Sequence, residues 1–174
     1  ALNNELCNLS ELNQEIFTLF REHQIKIKKE AIHFEIKESA EIQNTLFVID
    51  KIKLKQILIN LINNAFKFTS AGAIECGCSI NEDGYVDYYV SDTGRGIPAD
   101  KFHVIFERFS QLAGKGEASS GTGLGLSIVK GLLNLMGGTI HVESQCENPG
   151  DPKKGFTTFR FSIPVETVTN KLHT

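Results

Sequence analysis

Apolar residues between Leu54 and Phe68 recur at three- and four-residue steps: Leu54, Ile57, Leu58, Leu61, Ile62 and Ala65. That spacing places them on one face of an α-helix. A second stripe runs beside it, Gln56, Asn60, Asn64 and Lys67, again about one turn apart. An ordinary solvent face carries glutamate and lysine; this one carries amides and ends in a lysine. Amides donate and accept hydrogen bonds without adding negative charge. Amide oxygens and water can ligate Mg²⁺, and lysine is a point charge for phosphate. The stripe therefore suits one wall of a site for an anionic, metal-bound ligand.

The same patterning predicts the other elements. Residues 1–9 read as a short edge strand. Ser10 reads as an N-cap with Glu11 in the first turn, and Leu12, Ile16, Leu19 and Phe20 continue a helix to about Ile27. Alternating Ala31–Lys37 and short Leu46–Asp50 read as strands. Asp50 caps the long helix from near Lys51, and Ser70-Ala71-Gly72 ends it. Ala73–Ile80 and Tyr85–Ser91 form a hairpin around an Asp-Gly signal. Residues 99–109 read as a short helix or turn anchored by Phe102, Phe106 and Phe109. The small, glycine-laden 110–122 stretch predicts a mobile loop. A helix from about Gly123 to Met136 stops at Gly137-Gly138; strands follow at Thr139–Ser144 and Thr157–Ile163, and 164–174 is expected to fray. The sum is an α+β fold: a two-layer sandwich with about three helices on one face of a mixed, mostly antiparallel sheet of about five strands.

Composition narrows the function classes. A chain of 174 residues with 41% hydrophobic content and no linker or repeat fits one domain, 1–174, with its core at about 10–165. A net charge of -3 implies no general affinity for nucleic acid or anionic membranes, and no apolar run is long enough for a membrane span. Cys7, Cys76, Cys78 and Cys146 lack zinc-site spacing and read as free thiols.

Two glycine-rich motifs add chemistry. Asp92-Thr93-Gly94-Arg95-Gly96 follows a strand. A carboxylate there can accept a hydrogen bond from an exocyclic amine such as that of adenine, and the glycines let the backbone pass close to a flat ring. Alone, the motif equally describes an Asp-capped turn. Gly121-Thr122-Gly123-Leu124-Gly125-Leu126 opens a helix, where free backbone N–H groups suit phosphate. It is neither a dinucleotide fingerprint, since Leu126 stands where the last glycine belongs, nor a P-loop, since Thr122 stands where lysine belongs.

The order amide-lined helix, DxGxG after a strand, GxGxG at a helix start resembles the ATP-binding (Bergerat-type) fold of the histidine-kinase, gyrase, heat-shock-ATPase and mismatch-repair superfamily. The match is closest to the catalytic ATP-binding domain of two-component sensor histidine kinases. QILINLINNAFKFT is similar to their N box, DTGRGIP to the G1 box, FERFSQ to the F box and GTGLGLSIVKGLLNLMGG to the G2 box, across about residues 10–165. The resemblance implies ATP and Mg²⁺ as ligands. Asn64 matches the Mg²⁺-ligating asparagine, with Asn60 one turn earlier. Lys67 matches a phosphate-contacting lysine, and Phe68 an aromatic position near the nucleotide. Asp92 matches the adenine-reading aspartate, with Gly94, Gly96 and Ile97 near the base. Gly121, Thr122, Gly123, Leu124, Gly125 and Leu126 match the phosphate-approaching loop. Residues 98–122 match a lid over ATP anchored by Phe106 and Phe109.

Hydrolysing members carry glutamate where this chain has Asn60, and asparagine cannot take a proton from water. The resemblance therefore implies MgATP held without rapid hydrolysis, its γ-phosphoryl reserved for another acceptor. Gln111 stands where some members have a lid arginine; Arg108 or Lys115 are the nearby alternatives. His23, His33, His103, His141 and His173 are not followed by Glu or Asp, as the family's phosphoacceptor is. The expected partners are thus a separate dimerisation and phosphoacceptor hairpin, in a homodimeric parent, and a response-regulator receiver domain. The expected location is cytoplasmic, within a membrane-anchored parent and without direct membrane contact by this domain. A nucleotide-binding regulatory module or a hydrolysing ATPase are the alternative readings.

Overall fold

The structure is a computed structural model that describes residues 1–107, 125–146 and 155–168. Its strands are β1 (Glu5–Asn8), β2 (His33–Glu38), β3 (Leu46–Ile49), β4 (Ala73–Ile80), β5 (Tyr85–Asp92), β6 (Thr139–Gln145), β7 (Phe156–Pro164) and β8 (Glu166–Val168). Its helices are α1 (Leu9–Lys26), α2 (Ala40–Gln43), α3 (Lys51–Phe68) and α4 (Gly125–Met136), with a 3₁₀ turn at Ala99–Lys101.

The main sheet has five strands in the order β2-β4-β5-β7-β6, and only β2–β4 is parallel. The parallel step is made possible by the long crossover through α2, β3 and α3. Pleating turns alternate residues to the helical layer: Ile74, Cys76 and Cys78 from β4; Val86, Tyr88 and Val90 from β5; Phe159, Phe161 and Ile163 from β7. Against this face α3 buries Leu54, Ile57, Leu58, Leu61, Ile62 and Ala65, the stripe expected from its periodicity, and Phe66 besides. Phe20 of α1 stacks on Phe66 at 5.8 Å between ring centroids. One polar chain crosses this core: the Tyr88 hydroxyl donates to Asn13 Oδ1 (2.7 Å), and Asn13 Nδ2 donates to Glu38 Oε2 (2.9 Å). The buried thiols Cys76 and Cys78 lie on the same face, and burial pushes Cys78 up to about 12.

Several expectations are corrected. The cap of α1 is Asn8, not Ser10: Asn8 Oδ1 accepts from the Glu11 N–H at 3.2 Å, and Ser10 in the first turn donates to Glu38 instead. Asparagine caps at least as well as serine, and here β1 runs directly into the helix. Residues 166–168, expected to fray, are β8, which pairs with β3. Its side chains are all exposed, so backbone pairing, invisible to a hydrophobic pattern, decides it. With β1 it completes a second, three-stranded antiparallel sheet, β1-β3-β8. The short α2 has too few residues to show a period. The expected loop at 110–122 lies outside the described residues. So does the start of the helix at Gly123; α4 is described from Gly125 and ends at Met136, followed by Gly137, whose φ of 73° is the left-handed conformation glycine adopts without strain.

Asp50 does cap α3. Its carboxylate, 1% exposed, accepts from the Lys53 N–H (3.1 Å), from Lys53 Nζ (2.9 Å) and from the Asn3 N–H (2.8 Å). Burial alone would raise its pKa, but these donors together hold it below the usual carboxylate range. Its contribution is therefore present above the ordinary pKa and lost as pH falls. Asp50→Ala should cost about 2 kcal/mol in urea denaturation at neutral pH, because the cap and the Asn3 donor are lost together. A loss below about 0.5 kcal/mol would contradict this account of the helix start.

Candidate functional site

The amide stripe of α3 borders the buried face as expected. Asn60 and Asn64 are half-buried and Lys67 is exposed. Asn60 Nδ2 donates back to the Gln56 carbonyl at 3.0 Å. That fixes which end of the amide is free: Oδ1 faces α4, 3.5 Å from where a Cβ on Gly125 would stand. Asn64 makes no side-chain hydrogen bond among the described residues, so its oxygen is available. Leu126, beside Gly125, is buried and anchors the first turn of α4.

The last turn of α3 carries the second part of the site. The half-buried Phe68 ring has the Arg95 guanidinium 4.7 Å and Lys67 Nζ 5.4 Å from its centroid, both within cation–π reach. The Phe68 carbonyl accepts from the Arg95 N–H at 3.4 Å. A Cβ on Gly94 would lie 2.5 Å from that same carbonyl oxygen and 2.9 Å from Asp92 Oδ1, so only glycine fits. Gly96 has φ 78°, and a Cβ there would stand 1.9 Å from the Gln145 carbonyl oxygen. The DxGxG turn is thus wedged between the end of α3 and the end of β6.

Asp92 ends β5 on the side facing the helices and is 6% exposed. Its carboxylate accepts from the Gly94 N–H at 2.9 Å. Burial pushes the carboxyl up to about 6, while the Gly94 N–H and the nearby Thr69 hydroxyl act in the opposite direction. The Thr69 hydroxyl, fully buried, nonetheless makes no hydrogen bond of good geometry among the described residues. Ile97 is buried, and its N–H donates to Ser144 Oγ at 2.7 Å. Ser144 Oγ lies 2.7 Å from Thr157 Oγ1. Thr157 is the cross-strand partner of both Asp92 and Ser144, so the three share one row across β5, β7 and β6.

The structure therefore brings together Asn60 with Gly125, and Phe68 with Asp92, Gly94 and Arg95. Phe109, Gly121, Thr122, Gly123 and Leu124 lie outside the described residues, as do Arg108, Gln111 and Lys115. Phe106 packs edge-on against Phe159 at 6.1 Å. Thr69, Ser144 and Thr157 escaped the sequence reading. Strand register alone places the last two beside Asp92, and a threonine just past a helix end carries no signal of its own.

An amide-lined helix, a buried carboxylate in a glycine turn and a glycine-led helix start define a nucleotide-binding class of α+β fold. The chain belongs to the family described as "Histidine kinase-, DNA gyrase B-, and HSP90-like ATPase", whose sequence model matches residues 49–167. Within it the chain is of the histidine-kinase catalytic type. It is 39% identical over 150 residues to hybrid signal transduction histidine kinase D of Dictyostelium discoideum, covering 82% of this chain and 9% of that protein. It is 43% identical over 119 residues to the sensor histidine kinase TmoS of Ectopseudomonas mendocina, covering 67% of this chain and 12% of that protein. The chain thus spans about a tenth of the length of these relatives. Among solved structures, full-length ShkA in complex with AMPPNP superposes with a TM-score of 0.80 at 28% identity, over 97% of this chain and 32% of that one. The catalytic domain of histidine kinase ThkA superposes with a TM-score of 0.73 at 28% identity, over 94% of this chain and 96% of that one. No helix among the described residues is long and apolar enough to cross a membrane.

The raised Asp92 carboxyl has a measurable sign. Stability from its protonated form is full below the ordinary value of 3.8 and is lost as pH rises through about 6. Asp92→Asn has no such loss. The stability of the variant relative to wild type should therefore rise by on the order of 2 kcal/mol between about pH 4 and about pH 7.5, read by urea denaturation at each pH. A difference that stays flat with pH would contradict the burial argument.

Proposed function

We propose that the chain binds MgATP and supplies its γ-phosphoryl group to a histidine on a separate helical hairpin of the parent protein, for relay to a response-regulator receiver domain. The observation that carries this reading is the convergence of three sequence-distant segments: Gly94 rests on the Phe68 carbonyl, and Gly125 faces Asn60 Oδ1. Asp92 then offers a carboxylate to the exocyclic amine of adenine, and Lys67 a charge to the phosphates. The donor set fits a hard cation. Asn64 presents an amide oxygen without a competing partner among the described residues, and oxygen ligands completed by water and phosphate suit Mg²⁺. When bound, the ion would neutralise charge on the phosphate oxygens.

Asn60 favours transfer over hydrolysis. Its amide nitrogen is tied to Gln56, and its oxygen cannot act as a base towards water. Transfer needs an acceptor nitrogen in line with the γ-phosphorus: the N–P bond forms as the bond to the β–γ bridging oxygen breaks, and ADP leaves.

The test is incubation of the chain with γ-labelled ATP and Mg²⁺, with and without an added hairpin carrying His followed by Glu or Asp. Acid-labile label on the hairpin, with little ADP formed in its absence, is expected. Asn64→Ala should lower the transfer rate at least about tenfold while leaving the circular dichroism spectrum unchanged. Rapid ADP formation without acceptor would overturn the assignment to transfer. Among the described residues, Gly125→Ala meets only ordinary van der Waals contact, so an unchanged circular dichroism spectrum with weakened MgATP binding would point to the nucleotide.

A further inference from the structure

The carbonyls at the end of α3 are held by tertiary partners on both sides. On one side the Phe68 carbonyl takes the Arg95 N–H. On the other, Lys29 Nζ, from the turn between α1 and β2, donates to the Phe66 carbonyl at 2.5 Å and the Thr69 carbonyl at 2.9 Å. These are among the helix-end carbonyls that have no partner within a helix. A cation there also opposes the negative end of the helix dipole.

The turn that presents Lys29 is itself built. Gln24, 1% exposed, donates through Nε2 to the Lys29 carbonyl (3.0 Å) and the Ile32 carbonyl (2.9 Å), while its own carbonyl accepts from the Lys29 N–H (2.9 Å). Lys28 is held at φ 57°, an uncommon conformation for a residue with a side chain. So a buried amide fixes the turn, the turn aims the lysine, and the lysine reaches 37 and 40 residues along the chain to the end of α3.

We propose that Lys29 is a positioning residue for the nucleotide site: by gripping the Phe66 and Thr69 carbonyls it sets the last turn of α3, and with it the surface on which the DxGxG turn rests. The claim rests on the nucleotide reading given above. The lever is short. Gly94 packs against the Phe68 carbonyl so closely that no Cβ fits between them. Thr69, whose carbonyl Lys29 holds, places its buried hydroxyl beside Asp92. Loosening one helical turn therefore moves the floor under Gly94 and the neighbour of the base-reading carboxylate together. Lys29 itself touches no nucleotide in this account.

The test compares wild type with Lys29→Met, which keeps the aliphatic stem but no donor, and Lys29→Arg, which restores a cationic donor. Two readouts are taken well below the melting temperature. One is amide hydrogen exchange at residues 66–69 and 94–97 in the nucleotide-free protein. The other is affinity for MgADP and for MgGDP. Lys29→Met is expected to speed exchange in both segments, weaken MgADP about tenfold and shrink the preference for ADP over GDP; Lys29→Arg is expected to recover most of each. A purely structural lysine would lower the melting temperature and leave the base preference intact. If Lys29→Met fails to fold, Lys29→Gln decides by the same readings. A folded Lys29→Met or Lys29→Gln protein with wild-type exchange and wild-type base preference overturns the inference and leaves the nucleotide reading standing. A wild-type protein that takes up no MgADP overturns both.

Discussion

The site depends on one contact between backbones: the final turn of α3 pressed against the glycine turn that follows β5. The contact admits no side chain, because a Cβ at Gly94 would overlap the Phe68 carbonyl. Backbone-to-backbone packing of this kind joins two rigid elements with little slack. It also couples two chemistries. The amide stripe of α3 lies one to two turns upstream of the contact, and the buried carboxylate of Asp92 two residues before Gly94. The separation between a metal-and-phosphate wall and a base-reading acid is thus set by the length of one helix and the register of one strand.

That arrangement carries a cost that the fold absorbs elsewhere. Asp92 is buried enough that its carboxyl is pushed up to about 6, with one backbone N–H as its firm hydrogen-bond donor. Asp50, also buried, is held on three donors and sits below the usual range. At Asp50 three donors, one of them the Lys53 ammonium, outweigh burial; at Asp92 burial outweighs its donors. A buried acid left short of donors is poised to accept one from a ligand.

Much of the architecture was legible in the chain. The period of α3 names its buried residues except Phe66, Asp50 marks its start, and the Asp-Gly signal marks the β4–β5 hairpin, because each rests on neighbours within about one turn of one another. The pairing of β8 with β3 was not legible: its three side chains are all exposed, and only backbone bonds to a strand far upstream hold it. The site divides in the same way. Asn60, Asn64, Asp92 and Gly94 stand out by motif. Thr157 and Ser144 join Asp92 through strand register, and Lys29 reaches its carbonyls across 37 and 40 residues, so neither grouping leaves a local trace.

The claim that these segments grip one nucleotide is tested most directly by amide chemical-shift mapping of isotope-labelled protein titrated with MgADP. The account predicts saturable perturbations centred on Asn60, Asn64, Phe68, Asp92, Gly94, Gly96 and Gly125, with the outer sheet around Lys37 and Glu75 unmoved. Perturbations that leave Asp92 and Asn64 untouched, or none at millimolar nucleotide, would contradict it.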